Sequence, residues 1–177
     1  MCFMKKPVGL WQLMAFAVIS FLGTVLHFLY DLTDRSIFAA PFSGVNESTW
    51  EHMKLLFWPM AIYALIQSFY FKDRKDFWQI KLKGVLLGLT LIPVIFYTYN
   101  GAVGKSPDIF NVAIFYIAAL IACLFEWRLL KKEPSPRNLK IPSIIAFAVL
   151  AVLFWVFTFY PPPINLFLDP TTRTFCI

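Results

Sequence analysis

Apolar residues run in five long blocks along this chain, at about residues 9–31, 54–71, 83–99, 109–127 and 142–160, separated by short polar segments. A helix needs about 20 apolar residues to cross a hydrocarbon layer of roughly 30 Å, and each block approaches that length. Inside lipid the backbone has no water to bond, so a crossing segment satisfies its own amides and carbonyls as a helix. No alternation of apolar and polar positions over roughly ten-residue segments points to a barrel. The pattern predicts an all-α, polytopic transmembrane bundle of five helices, forming one integral membrane domain over residues 1–177. Pro59 and Pro93 fall inside the second and third blocks, where a kink is expected.

Composition agrees with this reading. Hydrophobic residues make up 59% of the chain and charged residues 15%, against about 45–50% and about 25% in soluble domains. A net charge of +6 in a soluble chain would suggest nucleic acid. Here the basic residues lie in the connections between blocks, where they set orientation, and a nucleic-acid partner is excluded. The N-terminus and the second and fourth connections hold Lys5, Lys6, Lys72, Arg74, Lys75, Lys81, Lys83, Arg128, Lys131, Lys132, Arg137 and Lys140. The opposite side holds only Arg35, Lys54, Lys105 and Arg173. Twelve against four predicts an N-terminus inside and a C-terminus outside, in a cell membrane.

Asp73, Asp76, Glu126 and Glu133 read as counter-charges to the inner basic residues, and "KKEPSPRNLKIP" as a solvated turn. The first block has a basic flank like that of a signal peptide. Its apolar run continues without a small-x-small cleavage site, so it is expected to be retained. Cys2, Cys123 and Cys176 show neither CxxC nor metal-type spacing.

The polar residues at the outer ends of the blocks need a different explanation. Ser20, Thr24, His27 and Asp31 recur at steps of four, three and four, which places them on one helical face. His27 and Asp31, one turn apart, suit a shared metal ion or a His–carboxylate pair. The plainer reading has His27 bonded to a neighbouring helix and Asp31 in headgroup water. In "VNESTWEHMK", residues 45–54, Ser48 and Glu51 form a capping box beside the positive end of a helix. Capping accounts for Glu51, but for neither His52 nor Trp50. If the preceding connection folds over the bundle, His27, Asp31, Glu47, Glu51 and His52 form a cluster. Two imidazoles and three carboxylates suit a divalent metal such as Zn, Mn or Fe, although no HExxH spacing is present.

Other outer segments are expected to roof this cluster. Asn100 and Asn111 bracket the turn "NGAVGKSPDIFN", in which Asp108 can cap the fourth helix. The tail "YPPPINLFLDPTTRTFCI" starts too stiffly to continue a helix and is expected to lie in the interface or fold back over the bundle, bringing Asp169 or Arg173 near the cluster. Asn46-Glu47-Ser48 also matches a glycosylation acceptor.

"HFLYD", "FSGVNESTWEHMKLLFWPM" and "YPPPINLFLDP", in that order, resemble a family of small bacterial multi-pass membrane proteins known as a domain of unknown function. The resemblance covers nearly the whole chain, supports five spans and implies no activity. The family-like positions are His27, Asp31, Asn46, Glu47, Trp50, Glu51, His52, Pro161, Pro162 and Asp169. The tail departs from the family pattern, which has glycines where Arg173 and Cys176 stand here.

The function expected is that of a hydrolase or transferase on a lipid or lipid-linked headgroup, assisted by a metal or by histidine. His27, Asp31, Glu47 and His52 are its catalytic candidates; those four with Glu51 are its metal ligands; Asn46, Trp50, Asn100, Asn111 and Asp169 support them. A transporter ranks lower, because the inner halves offer little beyond Gln12, Gln67, Ser68 and Thr90. A non-catalytic ion- or pH-sensing partner subunit is the third reading, since histidine titrates near neutrality. Membrane lipid is the expected partner, with a second copy or another membrane protein open.

Overall fold

The computed structural model describes residues 7–104 and 108–175. Cys2, Lys5, Lys6, Lys105 and Cys176 lie outside the described residues, as does the side chain of Asp108. Five α-helices follow one another: α1 (Val8–Leu32), α2 (Thr49–Tyr70), α3 (Phe77–Val103), α4 (Asp108–Lys131) and α5 (Lys140–Phe159). A short 3-10 turn at Asn165–Phe167 comes after them, and the described residues contain no strand. Each apolar block lies within one helix, to within a residue at its end, and α2 and α3 continue through Pro59 and Pro93.

Helices α1, α3, α4 and α5 are long and apolar enough to cross a membrane, whereas α2 is not. The reason lies in what surrounds α2. Twelve of its 22 residues are buried, against five of 25 in α1, and α1 and α3 pack along it. A helix whose neighbours are protein can carry Glu51, Lys54 and Gln67, all buried, which lipid would not accept. Leu56, Phe57, Met60 and Ala64 form the apolar centre of the same helix. On the far side, α1 approaches α4 closely at Gly23, where a Cβ would lie 2.3 Å from the Phe115 ring.

Two buried ion pairs join the elements. The Lys54 ammonium meets Glu51 at 2.5 Å, one turn away on α2, and donates to the Ala40 carbonyl at 2.7 Å and Thr158 Oγ1 at 2.8 Å. Glu51 accepts from the Val45 amide at 3.0 Å and lies 3.2 Å from the Thr158 hydroxyl. Lys81 on α3 pairs with Glu126 on α4, with neither more than 1% exposed.

These pairs correct the charge reading. Lys54 and Lys81 are core residues rather than flanking charges, which takes one residue from each side of the expected twelve-to-four division. Glu126 is the partner of a buried lysine, so that end of the bundle is more polar than its sequence implies.

Breaking a buried pair leaves one charge stranded, which typically destabilises by about 3–5 kcal/mol. Glu51→Gln is expected to lower the thermal midpoint of the purified protein by roughly 10 °C. The paired change Lys54→Met with Glu51→Leu should recover most of that loss, read by the same melting curve.

Candidate functional site

The site is set by how the chain leaves α1. Thr33 ends the helix by donating its hydroxyl to the Leu29 carbonyl, and Asp34 and Arg35 then take positive φ angles of 51° and 58° to reverse direction. The returning segment places Ser43, fully buried, against the last turns of α1. Its hydroxyl accepts from the Tyr30 amide at 2.8 Å and donates to the Leu26 carbonyl. Those are the two groups that an α-helix joins directly, so Ser43 is stitched into the helical ladder. Trp58 Nε1 holds the same segment from α2 through the Pro41 carbonyl at 3.0 Å.

Held in this way, the segment delivers Glu47 between two imidazoles. Glu47 Oε1 lies 3.8 Å from His27 Nε2, and Oε2 lies 3.5 Å from His52 Nε2. The two rings are 5.7 Å apart, centre to centre. His52 Nδ1 stands 2.9 Å from the Ser48 carbonyl oxygen. A carbonyl only accepts, so Nδ1 carries the hydrogen and Nε2 is the nitrogen presented to Glu47. In the neutral ring that nitrogen bears a lone pair, which faces a carboxylate oxygen.

Both histidines border a cavity of about 180 Å³ between α1 and α4, lined mainly by apolar side chains that include Phe28, Leu55 and Phe115. Thr24 and Tyr116 close one side of it, their hydroxyls 2.8 Å apart. Asn111 borders this cavity and also a smaller one that contains Glu47. An apolar groove therefore ends at an acid–base group. Tyr116 is a member that sequence reasoning missed, because a tyrosine in an apolar helix looks like any interfacial aromatic.

Of the expected cluster, the structure unites His27, Glu47 and His52. Asp31 is exposed and pairs with Arg35 at 3.8 Å. Glu51 has both oxygens engaged by Lys54, Val45 and Thr158. Its backbone amide still makes one capping bond, donating to Ser48 Oγ at 3.4 Å. Among the described residues no group of three or more His, Cys, Asp or Glu is arranged to hold a metal ion. Of the supporting residues, Asn46 accepts from the Ser48 amide to shape the entry to α2. Trp50 stacks with Phe154 and Phe167, at 4.6 and 4.9 Å. Asn100 donates to Phe96 of its own helix.

The tail folds back as expected, with Phe167 buried against Trp50 and Phe157 and the Tyr97 hydroxyl donating to the Asn165 carbonyl at 2.9 Å. Asp169, however, serves its own turn. Its Oδ1 accepts from the Thr171 amide at 2.7 Å, the Thr171 hydroxyl at 2.6 Å and the Thr172 amide at 3.3 Å. Burial alone would raise the pKa of this carboxyl, but the bonds from Thr171 and Thr172 outweigh it and hold the group below the usual carboxylate range.

A family model described as "Family of unknown function (DUF6512)" matches residues 3–177. No curated protein and no solved structure matches the chain.

Two outcomes follow from these contacts. Ser43→Ala removes a buried hydroxyl that serves two backbone groups, and should loosen the segment by about 1–3 kcal/mol. Amide hydrogen exchange over residues 40–48 is expected to quicken while that of α3 does not. For Asp169, a folded-state pKa below the unfolded value of about 3.9 means that its stabilisation is present above that pH. The stabilisation is lost as pH falls through the lower folded value. Amide exchange of residues 169–174 should therefore accelerate below pH ~3.9, and Asp169→Asn should show the fast rate at neutral pH.

Proposed function

The chain belongs to DUF6512, a family of unknown function, and we propose from the geometry of its own residues that it is a non-catalytic, proton-responsive membrane protein. The carrying observation is the Glu47 carboxylate set between the Nε2 atoms of His27 and His52 at 3.8 and 3.5 Å. With His52 Nδ1 fixed on the Ser48 carbonyl, a proton on His52 Nε2 would lie against the Glu47 carboxylate. A second, on His27, places two imidazoliums 5.7 Å apart, centre to centre, and weakens the hold on both. Histidines change charge near neutral pH, so the triad alters its net charge over a range that a cell surface experiences. Because Glu47 reaches the histidines on a segment tied to α1 and α2, a change in that charge bears on the helix ends.

In this reading α2 is a fifth span, shielded by its neighbours, and the chain crosses the membrane with its N-terminus inside and the triad at the outer face. The remaining eleven-to-three division of basic residues supports that orientation.

The earlier reading, hydrolysis or transfer on a lipid-linked headgroup, keeps one supporting observation: both imidazoles border the apolar groove. His52 is not a free base for it, since both nitrogens of that ring have partners.

Nitrogen NMR of histidine-labelled protein in nanodiscs tests the proposal. The expected result at pH 6 is a His52 ring protonated on both nitrogens, with that signal diminished in Glu47→Gln. A neutral His52 ring with a bare Nδ1, or a spectrum unchanged by Glu47→Gln, overturns the reading. Stoichiometric zinc lost in both His27→Ala and His52→Ala would replace the proton by a metal. Steady turnover of lipid esters or phosphodiesters, abolished by the same changes, would restore the enzyme.

A further inference from the structure

The opposite end of the bundle carries a second polar site. A cleft of about 220 Å³ opens where the end of α2, the α2–α3 turn and the start of α5 meet, lined by Ser68, Lys72, Lys75, Trp78, Asn138 and Lys140 among others. We propose that this cleft binds the phosphate of an anionic phospholipid.

The first argument is charge without a partner. Lys72, Lys75 and Lys140 are exposed, and among the described residues none of their ammoniums lies within 4.0 Å of a carboxylate. The carboxylates of the adjoining turn are otherwise placed. Asp76 is buried, paired with Arg74 at 2.8 Å and accepting from the Ser135 amide at 2.9 Å. Asp73 borders a separate depression beside α1 and α4. No acidic residue occupies the first turn of α5, so the positive end of that helix adds to the field.

The second argument is that the walls are fixed. Arg74 also lines the cleft, but its guanidinium is committed to structure. It donates to the Leu129, Leu130 and Lys132 carbonyls at the end of α4 while holding Asp76. One arginine thus clamps the α2–α3 turn onto the α4–α5 connection, and the three lysines stand on a preorganised frame.

The third argument separates a lipid from a free phosphate. One helical turn deeper from Ser68 stands Leu65, 56% exposed; one turn deeper from Lys140 stands Ile144, 39% exposed. Phe69 and Ile141, beside the polar lining residues in sequence, are 81% and 70% exposed. A basic cleft that continues into outward-facing apolar side chains matches an amphiphile with phosphate at the rim and acyl chains along α2 and α5. Basic pockets between transmembrane helices commonly take such headgroups.

Native mass spectrometry of the full chain, released from detergent with equimolar phosphatidylglycerol and phosphatidylcholine, tests the site. The expected result is preferential retention of phosphatidylglycerol. That preference should fall about fivefold per lysine in Lys72→Gln, Lys75→Gln and Lys140→Gln, and persist in the triple Lys→Arg variant. A control changing Lys131, Lys132 and Arg137 to Gln should retain it. Equal loss in the control means diffuse surface charge and overturns the site. Displacement of the lipid by millimolar inorganic phosphate means a free-anion site and overturns the lipid. Retention of the preference in the triple Lys→Gln variant, with an unchanged melting curve, also overturns it.

Discussion

The buried Lys54–Glu51 pair is the constraint on which the arrangement of the histidine-bearing end depends. A charge removed from water must be paired and hydrogen-bonded or it destabilises the fold. Here the pair gathers its remaining bonds from three different parts of the chain. The Ala40 carbonyl and the Val45 amide come from the connection after α1, and the Thr158 hydroxyl comes from α5. Because Glu51 holds Val45, the path of residues 45–47 is determined, and with it the place of Glu47 between the histidines. The triad is in this sense a by-product of satisfying a lysine.

The same logic operates at the other end with different partners. Lys81 and Glu126 join α3 to α4, and Gly84 makes room for the glutamate, since a Cβ there would lie 2.2 Å from its Oε1. Between lipid-facing helices apolar side chains gain little by leaving hydrocarbon for one another, so polar contacts and close packing carry more of the association. Each end of this bundle has one ion pair in that role. Each end also presents a separate polar surface outward, acidic and imidazole-bearing at one rim and strongly basic at the other.

Much of the fold was legible from the chain because block length and backbone chemistry leave few alternatives inside lipid. The burial of α2 was not, although its modest hydropathy carried the hint. His27, Glu47 and His52 were found by asking why ionisable residues collect at the ends of spans. Glu51 was misassigned because Lys54 was read as an orientation charge, when Glu followed three residues later by Lys is itself a pairing signal on a helix. Lys81 was misread likewise, since it lies in a run of flanking basic residues and only three-dimensional packing turns it inward. For Asp169 the local pattern Asp-Pro-Thr-Thr already described a self-contained turn. Tyr116 had no signal beyond its residue type.

Thr158 stands 104 positions after Lys54, yet the two are in direct contact. During synthesis, Lys54 and Glu51 emerge from the ribosome long before the segment that completes their bonding. The second helix must therefore enter or border the bilayer with its polar centre unfinished, dependent on insertion machinery or lingering water until the last helix arrives. Truncation late in the coding sequence would damage not the end of the molecule but its middle, and the nascent chain should be most vulnerable to quality-control proteases in the interval before α5 inserts.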